Sequence, residues 1–427
     1  MNIRNTRIFL CILFVWCSFY ISTAQNSLFK AFRFSQPSRA ECIIQTSDSG
    51  VILSGEIGTA LSLTHSFLMK VTAKGDTDWF KSYGGYQFEN GYSVKQTSDG
   101  GYIFTGYRCT LGSTPYNQNV FLCRTDNHGN VLWDRIYQGE MGYDVIETPD
   151  KDFILVGSTY ISNVKREDML VIKTNSAGEM KWEKEIGGLG YDRAKKIIPT
   201  KDGGFLISGW TDSLTKTENY CLIKLNKSGN ILWQKIYGQY LNKAVKDTLI
   251  NLKDPYNKVT ENITKGDTSY LYETITNERI SGYTYCEPYD VKQTTDGGFM
   301  IVGSSVGIRN NQSAYVVKIN SKGDLQWQKN YIINNSEPSE YTQAVASSVI
   351  VLSSGYFITG YTQVGKVFNI FTMNISASGK ILTQKIYHNT LSAVAFSSCI
   401  GKDGSYYMTG YQNDSLDKIL LLKTTIK

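Results

Sequence analysis

The chain repeats one short pattern along its length, a turn rich in aspartate and glycine followed by an apolar run that ends in glycine. The clearest copies run from Ser98 to Gly106, from Lys201 to Gly209 and from Thr295 to Gly303. Seven copies end in a glycine seven residues after the turn position, namely Gly55, Gly106, Gly157, Gly209, Gly303, Gly360 and Gly410. These glycines are 51, 51, 52, 94, 57 and 50 residues apart, so one repeat organises the chain.

A second block follows each of these units, and Tyr315 to Tyr331 is its clearest copy. It contains a lysine, a turn that ends in glycine, and a Trp-x-Lys-x-Tyr pattern, although the sixth copy has Thr383 in place of tryptophan. The tryptophans are Trp79, Trp133, Trp182, Trp233 and Trp327. Asp-Gly and Gly-Gly between apolar runs predict hairpin turns, because glycine tolerates a positive φ. Each repeat therefore predicts four antiparallel strands, the pattern of a β-propeller blade.

The two ends of the repeat region predict how the ring closes. The seventh repeat reaches Leu420–Lys423 without a tryptophan strand, whereas Leu28–Phe32 before the first repeat fits the missing pattern. We expect this N-terminal strand to complete the last blade and so remove an open sheet edge. The prediction is an all-β protein, a seven-bladed β-propeller of four-stranded antiparallel blades. Residues 238–287 lack both blocks and are interpreted as an insertion between blades four and five, with an eighth, degenerate blade as the alternative.

The first 24 residues have the pattern of a secretory signal peptide. Arg4 and Arg7 precede an apolar run from Ile8 to Ile21, and small residues follow before Gln25. We therefore expect an exported protein, located in the periplasm, on the cell surface or outside the cell, with residues 25–427 as a single domain and no transmembrane span in the mature chain. Lys and Arg number 44 against 38 Asp and Glu, a balance too weak to favour nucleic acid. We also expect a monomer.

The second block, Val-Lys-(Leu/Ile)-Asn-x-x-Gly-x-x-x-Trp, resembles the tryptophan-docking repeats of quinoprotein-like propellers. Together with the Asp-Gly-Gly turns it is more similar still to the repeats of secreted bacterial propeller proteins. The resemblance implies the fold and says little about activity, because one fold serves many functions. It would further imply calcium ligands and a catalytic aspartate in the case of a quinoprotein dehydrogenase, and neither can be placed in this sequence.

Variable loops predict one functional face. The connections between second and third strands, and those between blades, vary in length and would emerge together on one side of a propeller. Exposed aromatic side chains with a polar tip suit binding of sugars or proteins. The candidate ligand-binding residues on these loops are Tyr86, Tyr116, Tyr160, Trp210, Tyr240, Tyr270 and Tyr285. The alternative is that many of them pack beneath their own loops.

Catalytic and metal-binding signals are sparse. Glu89, Glu140 and Asp192 occupy the same position in three successive blades, where carboxylates at the channel mouth would hold a cation such as calcium. The alternative is that they cap backbone N–H groups, and no cofactor is otherwise indicated. Two cysteine pairs, Cys109 with Cys123 and Cys42 with Cys399, are candidates for disulfides.

The sequence thus favours a non-enzymatic propeller that recognises a glycan or a protein through its variable-loop face. The alternative is a carbohydrate-active hydrolase or lyase with an acidic site at the channel mouth, which would contain some of the three carboxylates above.

Overall fold

The described part of the chain consists of 28 strands in seven groups of four. The computed structural model describes residues 28–58, 63–84, 88–109, 118–161, 166–188, 190–213, 217–238, 285–306, 312–333, 343–364, 366–388, 391–413 and 416–425. The strands are β1 (Leu28–Phe32), β2 (Ser38–Gln45), β3 (Val51–Ile57), β4 (His65–Val71), β5 (Thr77–Tyr83), β6 (Phe88–Gln96), β7 (Tyr102–Cys109), β8 (Gln118–Thr125), β9 (Val131–Tyr137), β10 (Met141–Glu147), β11 (Phe153–Ile161), β12 (Arg166–Thr174), β13 (Met180–Ile186), β14 (Asp192–Pro199), β15 (Phe205–Thr211), β16 (Asn219–Leu225), β17 (Ile231–Tyr237), β18 (Tyr285–Gln293), β19 (Phe299–Val306), β20 (Gln312–Ile319), β21 (Leu325–Tyr331), β22 (Gln343–Leu352), β23 (Gly355–Val364), β24 (Val367–Ser376), β25 (Ile381–Tyr387), β26 (Ser392–Ile400), β27 (Tyr406–Asn413) and β28 (Asp417–Thr424).

Each group of four strands is an antiparallel sheet. Strands β2–β5 form sheet 1, and the following fours form sheets 2 to 6, ending with β22–β25. Sheet 7 contains β26, β27, β28 and β1, in that order. Sheets 5 and 6 also share a single bridge, between Gln312 and Gln343. Among the described residues, no helix is long and apolar enough to cross a membrane.

The N-terminal strand completes sheet 7, as the sequence predicts. Strand β1 runs antiparallel to β28, with Leu28 opposite Lys423 and Phe32 opposite Ile419. Sheet 7 then packs on sheet 1 through an apolar cluster that includes Phe32, Tyr407 and Ile43. The first and last sheets are therefore in contact, and β1 belongs to the last one.

The sheets are joined by packing of their faces and not by one continuous ladder of hydrogen bonds. An apolar cluster fills each junction between successive sheets, from sheets 1 and 2 through sheets 6 and 7. Sheets 4 and 5 are in direct contact through Leu206 and Tyr220 on one side and Val291 and Phe299 on the other. Sheets 4 and 5 are therefore neighbours among the described sheets, and the segment expected to be an insertion or an eighth blade falls almost entirely on residues 239–284, outside the described residues.

A lysine or arginine on the third strand, buried in four sheets and half-buried in two, fixes the turn between the first and second strands in six sheets. In sheet 5, Asp296 accepts hydrogen bonds from the Thr294 hydroxyl and from the Gly298 N–H at 3.0 Å, and its other oxygen lies 2.9 Å from the Lys318 ammonium. The same pairs in the other sheets are Lys70–Asp48, Arg124–Asp99, Lys173–Asp150, Lys224–Asp202 and Lys423–Asp403. Sheet 6 has Ser353 and Asn374 at these positions and makes a shorter turn. The Asp of the repeated turn and the Lys of the second block are thus one structural unit.

The fourth strand of a sheet docks on the next sheet. The Tyr331 hydroxyl donates to the Gly379 carbonyl at 2.7 Å, and the Trp327 indole N–H donates to the Ala377 carbonyl at 3.1 Å. Equivalent tyrosine bonds reach Gly129, Gly178 and Gly323 from Tyr83, Tyr137 and Tyr237. At each of these four glycines an added Cβ would lie 2.8–3.1 Å from the docked tryptophan ring.

This docking explains the degenerate sixth copy. The tryptophan of sheet 6 would dock on a turn between the third and fourth strands of sheet 7. Those strands are β28 and β1, which come from opposite parts of the chain, so no such turn joins them. A tryptophan at position 383 would have no turn to pack on, and Thr383 stands there.

The six described cysteines are free thiols. Neither candidate disulfide, Cys109–Cys123 or Cys42–Cys399, is formed.

Replacement of Lys318 by methionine should destabilise the fold by about 1–2 kcal/mol, because Asp296 and the Ile319 carbonyl lose the ammonium that they share. Three groups, Thr294, Lys318 and the Gly298 N–H, outweigh burial and lower the pKa of Asp296 to about 2, so this carboxylate stabilises the protein above about pH 4 and loses its effect as the pH falls towards 2. Urea unfolding at pH 7 and pH 3 should therefore show a smaller loss on acidification in the variant than in the parent. Lys322→Met, an exposed turn lysine, is the control and should unfold like the parent.

Candidate functional site

Every first strand carries one extra residue that breaks its pairing with the second strand. In sheet 2, Gly91 lies opposite Gly106 and Ser93 lies opposite Thr105, so Tyr92 has no opposite residue. This is a β-bulge, which redirects one side chain out of the regular alternation. The seven bulge residues are Glu41, Tyr92, Tyr143, Lys195, Tyr289, Ser347 and Phe396.

The glycine that ends each repeat is required by this bulge. An added Cβ at any of the seven glycines would lie only 1.7–2.0 Å from a backbone carbonyl oxygen of the first strand, two residues before the bulge. At Gly106, for example, that oxygen belongs to Asn90. Such a distance is far inside van der Waals contact, so only glycine lets the two strands approach closely enough. The repeated glycine and the bulge are therefore one feature.

The seven bulge residues line a common cavity on the axis of the ring. The cavity has a volume of about 190 Å³, and Lys196, Val345 and Tyr361 complete its wall. A second axial cavity of about 500 Å³ is lined by residues further along the same first strands, from Ile43 and Ile44 to Cys399 and Ile400. The first strands run from the variable connections to the Asp-Gly turns, so the smaller cavity, here called the bulge cavity, is the one nearer the variable loops. Lys196, Ser347 and Phe396 line both cavities.

Aromatic rings dominate the wall of the bulge cavity. Tyr92 packs against Tyr143, with ring centroids 5.2 Å apart, and Phe396 packs edge-on against Tyr361 at 6.4 Å. The Lys195 ammonium lies 4.2 Å from the Tyr143 ring centroid and 3.0 Å from the Glu287 carboxylate. Glu287 also accepts a hydrogen bond from the Tyr289 hydroxyl at 2.8 Å. These contacts fix the aromatic rings before any ligand arrives.

Glu41 is the carboxyl group of the bulge cavity. Burial and the nearby Glu56 carboxylate raise its pKa, whereas Asn90, Arg39 and Lys195 lower it, and the result is a pKa of about 7. Arg39 is itself paired with Asp417 and lies 4.8 Å from the Tyr411 ring centroid. A carboxyl group of this kind exists in both charge states near neutral pH.

The residue after each bulge joins neighbouring sheets. Asp144 accepts from the Ile197 N–H at 3.2 Å, Asp290 from the Val349 N–H at 3.0 Å, and Ser348 from the Ser398 N–H at 3.2 Å. Ser397 accepts likewise from Ile43, Ser93 donates to Asp144, and Cys42 donates weakly to Val94. The seventh member is Lys196, and it makes no such bond. Six of the seven junctions between sheets are therefore bridged from this position, whereas at the junction of sheets 4 and 5 the position carries the Lys196 ammonium group.

Two electrostatic effects act on Lys196. Burial lowers the pKa of its ammonium, but the attraction of nearby carboxylates, Asp144 first and then Asp290 and Glu41, outweighs burial and raises that pKa. The group therefore stays charged. Among the described residues, no hydrogen bond and no ion pair within 4.0 Å satisfies it.

The loop aromatics expected from the sequence are placed only in part. Tyr86, Tyr116, Tyr240 and Tyr270 lie outside the described residues. Tyr160 is 43% exposed, near the end of β11, and Tyr285 is half-buried at the start of β18. Trp210 corrects the expectation of an exposed ring, because it is 6% exposed with the Arg193 guanidinium 5.4 Å from its ring centroid.

The three candidate carboxylates do not ring the channel mouth, and that expectation is corrected. Glu89 is buried, accepts from the Ser66 hydroxyl at 3.2 Å and lies 3.5 Å from Arg108. Asp192 is buried and accepts from the Gly188 N–H and the Ser213 hydroxyl. Glu140 is half-buried, and burial together with Glu167 raises its pKa. None of the three lines either axial cavity, and within the described ranges no three His, Cys, Asp or Glu side chains are grouped to hold a metal ion.

The sequence patterns described above do not predict the bulge residues as a set, although their spacing in the repeat marks them. In six repeats the bulge residue stands seven positions before the turn position, and directly after a small residue or proline. The occupants are mostly aromatic or charged, in strands that are otherwise apolar and small. Aligning the repeats on this column would have brought Glu41, Tyr92, Tyr143, Lys195, Tyr289 and Phe396 together.

Comparisons with known proteins concern the fold. No protein-family model and no curated protein sequence matches the chain. Among solved structures, a puromycin hydrolase is similar with a TM-score of 0.50 and 9% identity, covering 92% of this chain and 54%, about half, of that chain. The β-propeller domain of the Trilobed protease from Pyrococcus furiosus has a TM-score of 0.46 and 7% identity, covering 92% of this chain and 99% of that chain. A glucose dehydrogenase has a TM-score of 0.38 and 11% identity, covering 78% of this chain and 100% of that chain.

Gly106→Ala should destabilise the protein by about 1–3 kcal/mol, because the new Cβ would overlap the Asn90 carbonyl. Gly91→Ala is a matched control: Gly91 is the paired residue on β6, and an added Cβ there would have its nearest neighbour at 3.4 Å. Thermal unfolding should show a clear decrease in Tm for the first variant and little change for the second. Equal Tm values for the two variants would contradict the close approach described above.

Glu41→Gln should change how stability depends on pH. The folded-state pKa of about 7 lies above the ordinary value of 4.5, so the native state holds an extra proton between these values and stability falls as the pH rises from about 4.5 to 7. The glutamine variant lacks that decrease. Its free energy of unfolding, measured in urea, should therefore fall less between pH 5 and pH 8 than that of the parent.

Lys195→Met should raise the Glu41 pKa further, because the variant loses an ammonium group that favours the ionised carboxylate. Carboxyl-selective NMR titration would detect the change.

Proposed function

We propose that this chain is an exported β-propeller that binds a glycan, with one sugar of the ligand seated in the bulge cavity at the variable-loop end of the axis. The observation that carries the proposal is the convergence of the seven bulge side chains on one cavity of about 190 Å³. A rigid scaffold holds them, because every bulge is fixed by a close glycine contact. The signal peptide pattern supports export to the periplasm, the cell surface or the medium.

The shape and lining of the cavity favour a sugar over a protein surface. Protein interfaces of ordinary size are broad and bury about 800 Å² on each partner, whereas this site is a small concave pocket. Tyr92, Tyr143 and Phe396 offer aromatic faces and edges, and Glu41 and Lys195 add polar groups that would bond to hydroxyls. A protein ligand would have to insert a single side chain or chain end to use the same groups.

Binding is favoured over hydrolysis by the number of carboxyl groups. Glycoside hydrolysis by the usual mechanism needs two carboxyl groups on either side of the scissile bond. Among the described residues that line the bulge cavity, Glu41 is the one carboxylate. Glu89, Glu140 and Asp192, the acidic residues expected for a hydrolase, do not line it, and Glu89 and Asp192 accept hydrogen bonds elsewhere.

The test is binding of a panel of oligosaccharides to the mature chain, followed by substitution of cavity residues. Tyr92→Ala and Phe396→Ala should each weaken binding by about 2- to 12-fold, the loss of one aromatic contact of roughly 0.5–1.5 kcal/mol. Tyr160→Ala removes an exposed loop aromatic and is the matched control, with no effect expected. Loss of binding in Tyr160→Ala alone would place the site on the outer loops instead. Release of shorter sugars during the assay would support the hydrolase.

A further inference from the structure

Lys196 differs from its counterparts in the other six sheets. There, the residue after the bulge makes a hydrogen bond to a neighbouring sheet. The Val291 N–H, which would be the partner in sheet 5, already donates to Asp290 of its own strand at 2.9 Å. Asp290 is also bound to Lys292 at 2.7 Å and Asp144 to Lys95 at 2.7 Å. Asp144 and Asp290, the two aspartates that attract Lys196 most strongly, therefore already accept hydrogen bonds from other donors. The Lys196 ammonium makes no bond to them and lines the two axial cavities.

The Glu41 carboxylate adds to the attraction that keeps the Lys196 ammonium charged, and no contact ion pair joins the two groups among the described residues. The other charged lining group of the bulge cavity, Lys195, is already held by Glu287. When Glu41 takes up a proton, Lys196 is the charged lining group of the bulge cavity that has no contact partner among the described residues.

We propose that the sugar seated in the bulge cavity carries a carboxylate, as a uronic acid does, and that this carboxylate binds the Lys196 ammonium in place of the distant Glu41 charge. This inference rests on the proposed function and specifies the ligand class. The aromatic rings of Tyr92, Tyr143 and Phe396 would flank the sugar ring, and the carboxylate would point to the level where the two axial cavities meet. An ammonium group fully available for a carboxylate forms a charge-assisted hydrogen bond, which is stronger than one between neutral groups.

A bound carboxylate beside Glu41 makes ionised Glu41 less favourable, so binding is linked to uptake of a proton. The groups around Glu41 are Glu56, Arg39 and Tyr411 on the side of sheets 1 and 7, Asn90, Tyr92 and Tyr107 from sheet 2, and Lys195 and Lys196 across the axis. The tyrosines in this set stay neutral near pH 7, since burial raises their pKa values. Glu41, with a pKa of about 7, is then the group that titrates there.

The affinity for an acidic sugar should be constant below pH 6 and should fall by about tenfold between pH 6 and pH 8.

The experiment measures binding of an oligogalacturonate and of a neutral galacto-oligosaccharide of equal length by calorimetry at pH 6, 7 and 8, using the mature chain. We expect the acidic ligand to bind more tightly, with the stated pH dependence. Glu41→Gln should remove the dependence on pH and improve affinity at pH 8 by about tenfold. Lys196→Met should abolish the preference for the acidic ligand, Lys196→Arg should restore it, and Lys322→Met, which removes an exposed lysine, should leave it unchanged.

The outcomes separate the two proposals. Equal binding of the acidic and neutral ligands, or an unchanged preference in Lys196→Met, would overturn the carboxylate inference and leave glycan binding intact. Binding of an acidic peptide but of neither sugar would overturn both. Tight binding of the acidic sugar that does not depend on pH would contradict the role given to Glu41.

Discussion

The close approach of the first two strands in each sheet is the constraint on which the rest of the structure depends. Seven glycines permit it, because any Cβ at these positions would overlap a carbonyl oxygen of the neighbouring strand. The approach accommodates an extra residue in the first strand, and the bulge turns that residue towards the axis. A single backbone requirement, repeated seven times, therefore builds the wall of the bulge cavity. The bulge residue has no opposite residue in the second strand, and side chains as different as those of Ser347 and Tyr92 occupy this position.

The remaining repeated residues hold the sheets in order. The buried Lys and the turn Asp fix the hairpin within a sheet, and Trp and Tyr of the fourth strand fix the next sheet along. Both devices are absent from sheet 6, for different reasons. Thr383 faces sheet 7, which has no turn to dock on, because β28 and β1 come from opposite parts of the chain. The turn within sheet 6 is shorter than the others, with Ser353 in place of the aspartate and Asn374 in place of the lysine. The loss of the tryptophan is thus explained by position in the ring.

Much of this architecture is predictable from sequence, because it rests on local signals. Asp-Gly-Gly turns define hairpins, and the pattern at Leu28–Phe32 predicts the strand that β28 pairs with. The bulge cavity is not predictable in the same way. In a regular strand, successive side chains point to opposite faces of the sheet, and a prediction from sequence assumes this alternation. The extra residue at a bulge, such as Tyr92 or Lys195, interrupts the alternation, so the face on which its side chain lies is not given by the pattern. The error over Trp210 has a different origin: a position beside a variable loop suggests exposure, but a guanidinium from the adjacent strand covers the ring.

The carboxylates near the axis are of two kinds, those bonded within the ring and one that is costly to ionise. Asp144 and Asp290 are held by backbone N–H groups and by lysines of their own surroundings, so they serve the ring itself. Burial alone would raise the pKa of Asp144, and the nearby Lys196 and Lys95 lower it well below its usual range, as expected for a structural carboxylate. Glu41 shows the opposite balance, since burial and Glu56 prevail over its cationic neighbours. Glu41 is thus costly to ionise, and it lines the same cavity as the Lys196 ammonium, which makes no hydrogen bond or contact ion pair within the described part of the chain. Buried polar groups of this kind are expected where a ligand completes the network.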